Sequence, residues 1–166
     1  MPTQLPTAVD FRLPDGWSPA SPETCDSFGV SFAALHPHPD DGFTANITLD
    51  GEVPPKGTPL TDLADTSLEL LALAAESVHL VDRREVGPED APALVQRVVL
   101  AAAVEQARRD LAQTQVYLPL VDADDPQKYA VIKLAMTSTT EQHPEVLEDF
   151  QAFVRTVRPS AQEEDE

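Results

Sequence analysis

The cleanest pattern in the chain is an alternation: Phe43, Ala45, Ile47 and Leu49 interleave with Thr44, Asn46, Thr48 and Asp50. A period of two sends one set to a buried face and the other to a polar face, which predicts a strand. Val9, Phe11 and Leu13 alternate with Asp10 and Arg12 in the same way, and Pro14-Asp15-Gly16 then supplies turn chemistry ahead of Trp17. Gly29–Leu35 places Val30, Phe32 and Ala34 on one face, and the loop His36–Gly42 joins that run to the next as a hairpin. The period then changes. Leu60, Leu63, Ser67, Leu71, Ala74 and Val78 recur at three- and four-residue spacing, predicting a helix over Leu60–Val78. Thr58 stands as its N-cap, with Pro59 at the first helical position. Leu70 and Leu73 widen the stripe, so this helix is expected to be heavily buried and the largest single source of core stability.

Four more strands are predicted beyond it: His79–Val86, Ala93–Leu100, Leu111–Val121 and Tyr129–Thr137. Ala101–Ala112 is good helix material by propensity, yet its flanks are strands at hairpin spacing, so it reads as a hairpin connection near Glu105–Arg109. Asp122–Gln127 is an Asp-rich turn closed by Pro126. A last helix runs from about Gln142 to Val157, with Val146, Leu147, Phe150, Phe153, Val154 and Val157 on one face and a Thr139/Gln142 capping box. Hairpin-linked strands with separate helices indicate an α+β domain on a mainly antiparallel sheet, built in layers.

The 166 residues carry 11 Lys plus Arg against 29 Asp plus Glu, a formal charge of −18. Such an excess opposes nucleic-acid binding and docking on an anionic membrane, both of which need basic surface. No basic n-region or apolar h-region opens the chain, and no apolar run reaches the ~20 residues that span a bilayer, so a soluble, cytoplasmic protein is expected. Met1–Ala8 reads as a loose leader and residues 159–166 as a disordered acidic tail, leaving a single domain over 9–158.

Candidate chemistry is sparse. His36-Pro-His38-Pro-Asp40-Asp41 could hold zinc given a further ligand, but reads first as a stiff polar loop, so no metal is assigned. Asp122-Ala-Asp124-Asp125 opens like a calcium loop, yet Gln127 and Lys133 stand where glycine and glutamate are required. Cys25 excludes an internal disulfide framework, and its acidic neighbours disfavour the thiolate. No nucleophile elbow, P-loop or dinucleotide fingerprint is present, so neither an enzyme nor a cofactor is expected. The Arg83-Arg84 and Arg108-Arg109 pairs read as screening cations, and Trp17 as a core anchor. One pattern rises above this background. Asn46, Thr48, Gln96, Gln113, Gln115 and Tyr117 put uncharged polar groups on strand positions whose phases include Leu94, Val98 and Leu111. Such a face either hydrogen-bonds an incoming partner backbone or lies beneath one of the protein's own helices.

Phe11-Arg-Leu-Pro14-Asp-Gly16-Trp17, Phe43-Thr-Ala-Asn46-Ile47 and Phe150-Gln-Ala-Phe153, in that order and spacing, resemble the PsbP/DcrB-like superfamily. That superfamily includes the actinobacterial LpqN-type proteins and the Eag chaperones of type VI secretion. The resemblance spans Val9–Val157 and implies a three-layer α/β/α sandwich of six or seven strands and two main helices. It also implies a non-catalytic binding protein with a protein partner, and it transfers no catalytic residue. LpqN-type members are lipoproteins, whereas Cys25 lacks the apolar segment of a lipobox, which favours the cytoplasm. The expected function is therefore an adaptor or chaperone of a secretion or envelope system. A small-molecule or metal-binding accessory protein and a hydrolase are the alternatives, and oligomeric state stays open.

Overall fold

A computed structural model describes residues 9–20, 32–38, 43–55, 57–87, 93–104, 107–121 and 129–159. The expected leader, the acidic tail from residue 160, Cys25, the loop acids Asp40 and Asp41 and the Asp122–Gln127 turn lie outside the described residues.

The strands are β1 (Val9–Asp10), β2 (Ser18–Ala20), β3 (Phe32–Leu35), β4 (Asn46–Glu52), β5 (Ser77–Val86), β6 (Ala93–Val104), β7 (Ala107–Val121), β8 (Tyr129–Thr139) and β9 (Arg158–Pro159). The helices are α1 (Leu60–Ala74), between β4 and β5, and α2 (His143–Thr156), after β8. β1 pairs with β9, while the other strands form one sheet in the order β2-β3-β4-β8-β7-β6-β5. Every pairing is antiparallel. The α+β architecture expected of the alternation is the one observed.

Each sheet face has its own helix because the two phases of the alternation differ in kind. Ile47 and Leu49, Ile132, Leu134 and Met136, and Val116 form one phase, and they bury against Val146, Phe150 and Phe153 of α2 in the main core. Leu94, Tyr117 and Val131 lie on the other, in a smaller cluster with Ala64 of α1. Trp17 anchors the main core as expected. It follows a turn in which the Trp17 N–H donates to the Pro14 carbonyl at 3.2 Å, with Gly16 at φ 89°, the positive value that a type II turn needs there. Its indole N–H donates to Asp149 Oδ2 of α2 at 3.0 Å, tying the N-terminal turn to the last helix. Replacing Asp149 with Ala leaves that indole N–H without its charged acceptor. A loss of about 1–3 kcal/mol in urea unfolding is expected, followed through the single tryptophan.

Local readings need correction at several places. β1 stops at Asp10, so Phe11 and Leu13 pack on the core from irregular chain rather than from a strand. The helical stripe ends at Ala74 instead of Val78, because Val78 pairs with Leu100 in β5. Pro59, not Thr58, occupies the α1 N-cap, and the Thr58 hydroxyl donates to the Pro55 carbonyl at 2.6 Å. At α2 the Thr139 hydroxyl does accept the Gln142 N–H, at 3.1 Å. Gln142 is itself the N-cap, however, and its amide reaches the His38 carbonyl, so the reciprocal box does not close. Sheet pairing overrides helix propensity at Ala101–Ala103 and Arg108-Arg109, which sit within β6 and β7.

The largest departure concerns α1. Only Ala64 and Ser67 are buried along its length, while Leu70 is 61% and Leu73 85% exposed. The helix expected to be the heaviest contributor to the core turns two leucines to water.

Candidate functional site

The antiparallel register decides which side chains share a face. Reading across the strands, Thr48 lies opposite Ala135, Ala135 opposite Gln115, Gln115 opposite Gln96, and Gln96 opposite Arg83. One row over, Asn46, Thr137, Gln113 and Val98 align; in the next, Asp50, Lys133, Tyr117 and Leu94. All of the polar positions singled out in the sequence therefore occupy the α1 face of the sheet.

Their accessibility divides them. Gln96, Gln115 and Tyr117 are buried beneath α1, whereas Asn46, Thr48 and Gln113 are partly exposed. The Gln115 amide uses its full bonding capacity. Its oxygen accepts from Gln96 Nε2 at 2.7 Å and from the Tyr117 hydroxyl at 2.9 Å. Its nitrogen donates to Ser67 Oγ at 2.9 Å and to Gln113 Oε1. Gln96 Nε2 also donates to the Ala64 carbonyl of α1, and Gln96 Oε1 accepts from Arg83 Nε at 2.9 Å. Arg83 in turn lies 2.8 Å from Asp65 of α1, as an ion pair without hydrogen-bond alignment. Gln113 Nε2 donates to Thr137 Oγ1 at 2.8 Å. This network runs through β5, β6, β7 and β8 and fastens α1 at Ala64, Asp65 and Ser67. In this conformation Gln96 and Gln115 bond to α1, and Tyr117 packs beneath it with Ala64. Asn46 donates weakly to its neighbour, the Thr44 carbonyl, at 3.4 Å.

A cleft of about 120 Å³ opens beside α1, lined by Asp50, Glu52, Leu63, Ser67, Tyr117 and Lys133 among others. Burial, the largest influence, raises the Asp50 carboxyl to about 6, partly offset by Lys133 across the sheet and reinforced by Glu52. Burial also lowers Lys133 from its ordinary value, against the pull of Asp50 and Glu52, and lifts Tyr117 to about 12. Perturbed groups in a cleft invite a catalytic reading. Lys133 Nζ donates to Ser67 Oγ at 3.1 Å, which resembles an activated serine. The hydroxyl oxygen, however, already accepts from Lys133 and from Gln115, so both lone pairs are directed at donors and none is aimed at a substrate. The residues that this sequence pattern marks, uncharged amides among β-branched and aromatic positions, are here joined in a network that clamps α1.

The other sequence candidates resolve separately. His36 is buried edge-on against Trp17, ring centroids 5.1 Å apart, and its Nδ1 accepts the His38 N–H at 3.1 Å. Among the described residues, no three His, Cys, Asp or Glu side chains converge as a metal site would require. Arg84 lies 4.0 Å from Asp82 and Arg108 pairs with Glu76 at 2.8 Å, so ion pairs engage these cations locally. Buried His143, which no sequence motif marks, bridges Thr114 and Ser138, each at 2.8 Å.

A seven-stranded antiparallel sheet with one helix on each face is a PsbP-like fold, and solved structures of low sequence identity share it. PsbP (CyanoP) from Synechocystis superposes with a TM-score of 0.66 at 11% identity, covering 95% of this chain and 90% of that one. LpqN from Mycobacterium tuberculosis, involved in cell envelope biogenesis, gives 0.59 at 13% identity over 93% and 86%. The Saccharomyces cerevisiae Ran-binding protein Mog1p gives 0.55 at 12% identity over 92% and 90%. No family model and no curated protein matches the sequence. Among the described residues, no helix is long and apolar enough to cross a membrane.

Proposed function

We propose that this protein is a non-catalytic protein-binding module, an adaptor or chaperone serving a bacterial secretion or envelope system from the cytoplasm. One observation carries the reading: Leu70 and Leu73, a turn apart on α1, stand 61% and 85% exposed on a helix that the polar network already fastens. Single exposed apolar residues are ordinary, but neighbouring leucines on one helix form a small apolar platform suited to a partner's side chains. The occupied lone pairs of Ser67 support a binding role over hydrolysis. The fold shared with Mog1p, a Ran-binding protein, and with LpqN, involved in cell envelope biogenesis, supports this reading.

The double variant Leu70→Asp/Leu73→Asp tests the reading, because both side chains are largely exposed and neither belongs to a buried core cluster. The fold should persist, with stability lowered by about 1–2 kcal/mol through the helix propensity and dipole cost of two aspartates late in α1. A photo-crosslinking amino acid at position 66, beside the platform, should give one discrete protein adduct in intact cells, reduced at least tenfold by the double variant. No discrete adduct, an adduct indifferent to the substitutions, or turnover of esterase or phosphatase substrates that Ser67→Ala abolishes would overturn it.

A further inference from the structure

Among the described residues, the α2 face of the sheet is covered over only part of its width. α2 packs on β4, β8 and β7, and beyond it an open groove of about 410 Å³ lies between the helix and the β5–β6–β7 end of the sheet. The register explains its floor. Val116, Val95 and Arg84 lie side by side across β7, β6 and β5, as do Thr114, Arg97 and Asp82, with Leu118, Ala93 and Val86 completing the surface. Leu147, Phe150, Gln151, Val154 and Arg155 of α2 form the wall. From β7 to β5 is two strand spacings, about 10 Å, which is one helix diameter and one helix–helix packing distance. The wall residues Leu147 to Arg155 extend about 12 Å along the α2 axis, roughly two turns. No described residue covers this strip, which has the dimensions of a short helix lying beside α2.

Its charge is opposite to that of the whole molecule. In a chain with 29 acids against 11 bases, the groove is lined by Arg84, Arg97 and Arg155 with Asp82 as the lone acid. Asp82 sits 4.0 Å from Arg84, and among the described residues no ion pair holds Arg97 or Arg155. Arg97 is half-buried in the apolar floor, and its field reaches buried His143, one of the influences holding that imidazole below its ordinary value. A half-buried guanidinium on an apolar surface favours an occupant that brings a carboxylate together with apolar side chains.

We infer that this groove docks a short amphipathic helix of a partner protein, laid alongside α2, with apolar residues on the sheet and acidic residues against Arg97 and Arg155. The inference rests on the protein-binding reading but uses the opposite face from Leu70 and Leu73, so each can fail alone.

The probe is a fluorescein-labelled twelve-residue helical peptide with leucines at three- and four-residue spacing and flanking glutamates, compared with a counterpart whose flanks are lysines. Anisotropy should give at least tenfold tighter binding for the glutamate peptide, and amide shift changes should map to β5, β6, β7 and α2. Arg97→Gln/Arg155→Gln should abolish the preference, whereas Leu70→Asp/Leu73→Asp should leave it intact. Should the double arginine variant melt early, Arg155→Gln alone, at an exposed helix position, should still narrow the ratio severalfold. Equal binding of the two peptides, shifts confined to α1, decanoate filling the groove while neither peptide binds, or a dimer of the protein alone that the arginine substitutions dissolve would each overturn the inference.

Discussion

Gln115→Ala is expected to destabilise the protein by about 4 kcal/mol, the largest effect of any single polar substitution proposed for this chain. The side chain is fully buried and makes hydrogen bonds through both ends of its amide. Truncation leaves the Tyr117 hydroxyl without its acceptor, withdraws one of the two acceptors of Gln96 Nε2, and removes a donor from Ser67 and from Gln113. Each buried group left unpaired costs about 1–3 kcal/mol, and the vacated volume adds a cavity term. Gln115→Met, which restores volume but not polarity, should recover only the cavity part, so its stability falls between alanine and wild type. Gln113→Ala is the milder comparison: solvent can replace the bond of partly exposed Gln113 to Thr137, and Gln115 Nε2 loses one acceptor but keeps Ser67, so about 1–2 kcal/mol is expected. Chemical denaturation of the three variants decides the matter. A methionine variant as stable as wild type would remove the network's role in holding α1.

That network also explains which parts of this molecule were legible in its sequence. The sheet and helices could be read because period-two and period-3.6 patterns are local, and register follows once hairpins join consecutive strands. The amides could be recognised as a set because Gln113, Gln115 and Tyr117 share one phase of β7 and Gln96 one phase of β6. Whether that set faces a partner or a helix was not decidable locally. It depends on α1 crossing from β4, near the middle of the sheet, to β5 at its edge, a path fixed by topology rather than by any residue in the connector. The exposure of Leu70 and Leu73 was illegible for a related reason. An apolar stripe announces more buried surface than the sheet has room for, and the face beneath α1 is occupied by Gln96, Gln115 and Tyr117. The groove beside α2 left no signature at all. Its floor reads as ordinary strand alternation, and Arg97 gains meaning only because α2, the helix on its own face, does not reach over β5 and β6.

The second large effect is on the response to acid, where buried His143 and half-buried Asp50, on opposite faces, pull in opposite directions. His143 is 4% exposed, and its hydroxyl partners fix its tautomer. Ser138 Oγ donates to the Thr139 carbonyl at 3.0 Å, so towards His143 it accepts the Nδ1 proton; Nε2 is then the acceptor of the Thr114 hydroxyl. Burial first, and the nearby Arg97 second, lower this imidazole from 6.5 to about 4. Between those values the unfolded chain takes up a proton that the native protein refuses, so stability present above pH 6.5 is lost as pH falls towards 4, by about 3 kcal/mol. Asp50 behaves inversely. Its carboxyl, raised from 3.8 to about 6, binds a proton more readily in the native state, so acidification through pH 6 adds stability that is complete below 3.8. The two slopes oppose each other from about pH 6 down to pH 4, and the wild-type stability profile should be shallow there. Asp50→Asn removes the compensating slope: the variant should be at least as stable as wild type at pH 8, yet lose about 3 kcal/mol on titration to pH 4. His143→Gln should do the reverse and gain stability over the same range. Urea midpoints at half-unit pH steps measure both, and a flat profile for Asp50→Asn would show that the Thr114–His143–Ser138 bridge does not hold the imidazole neutral.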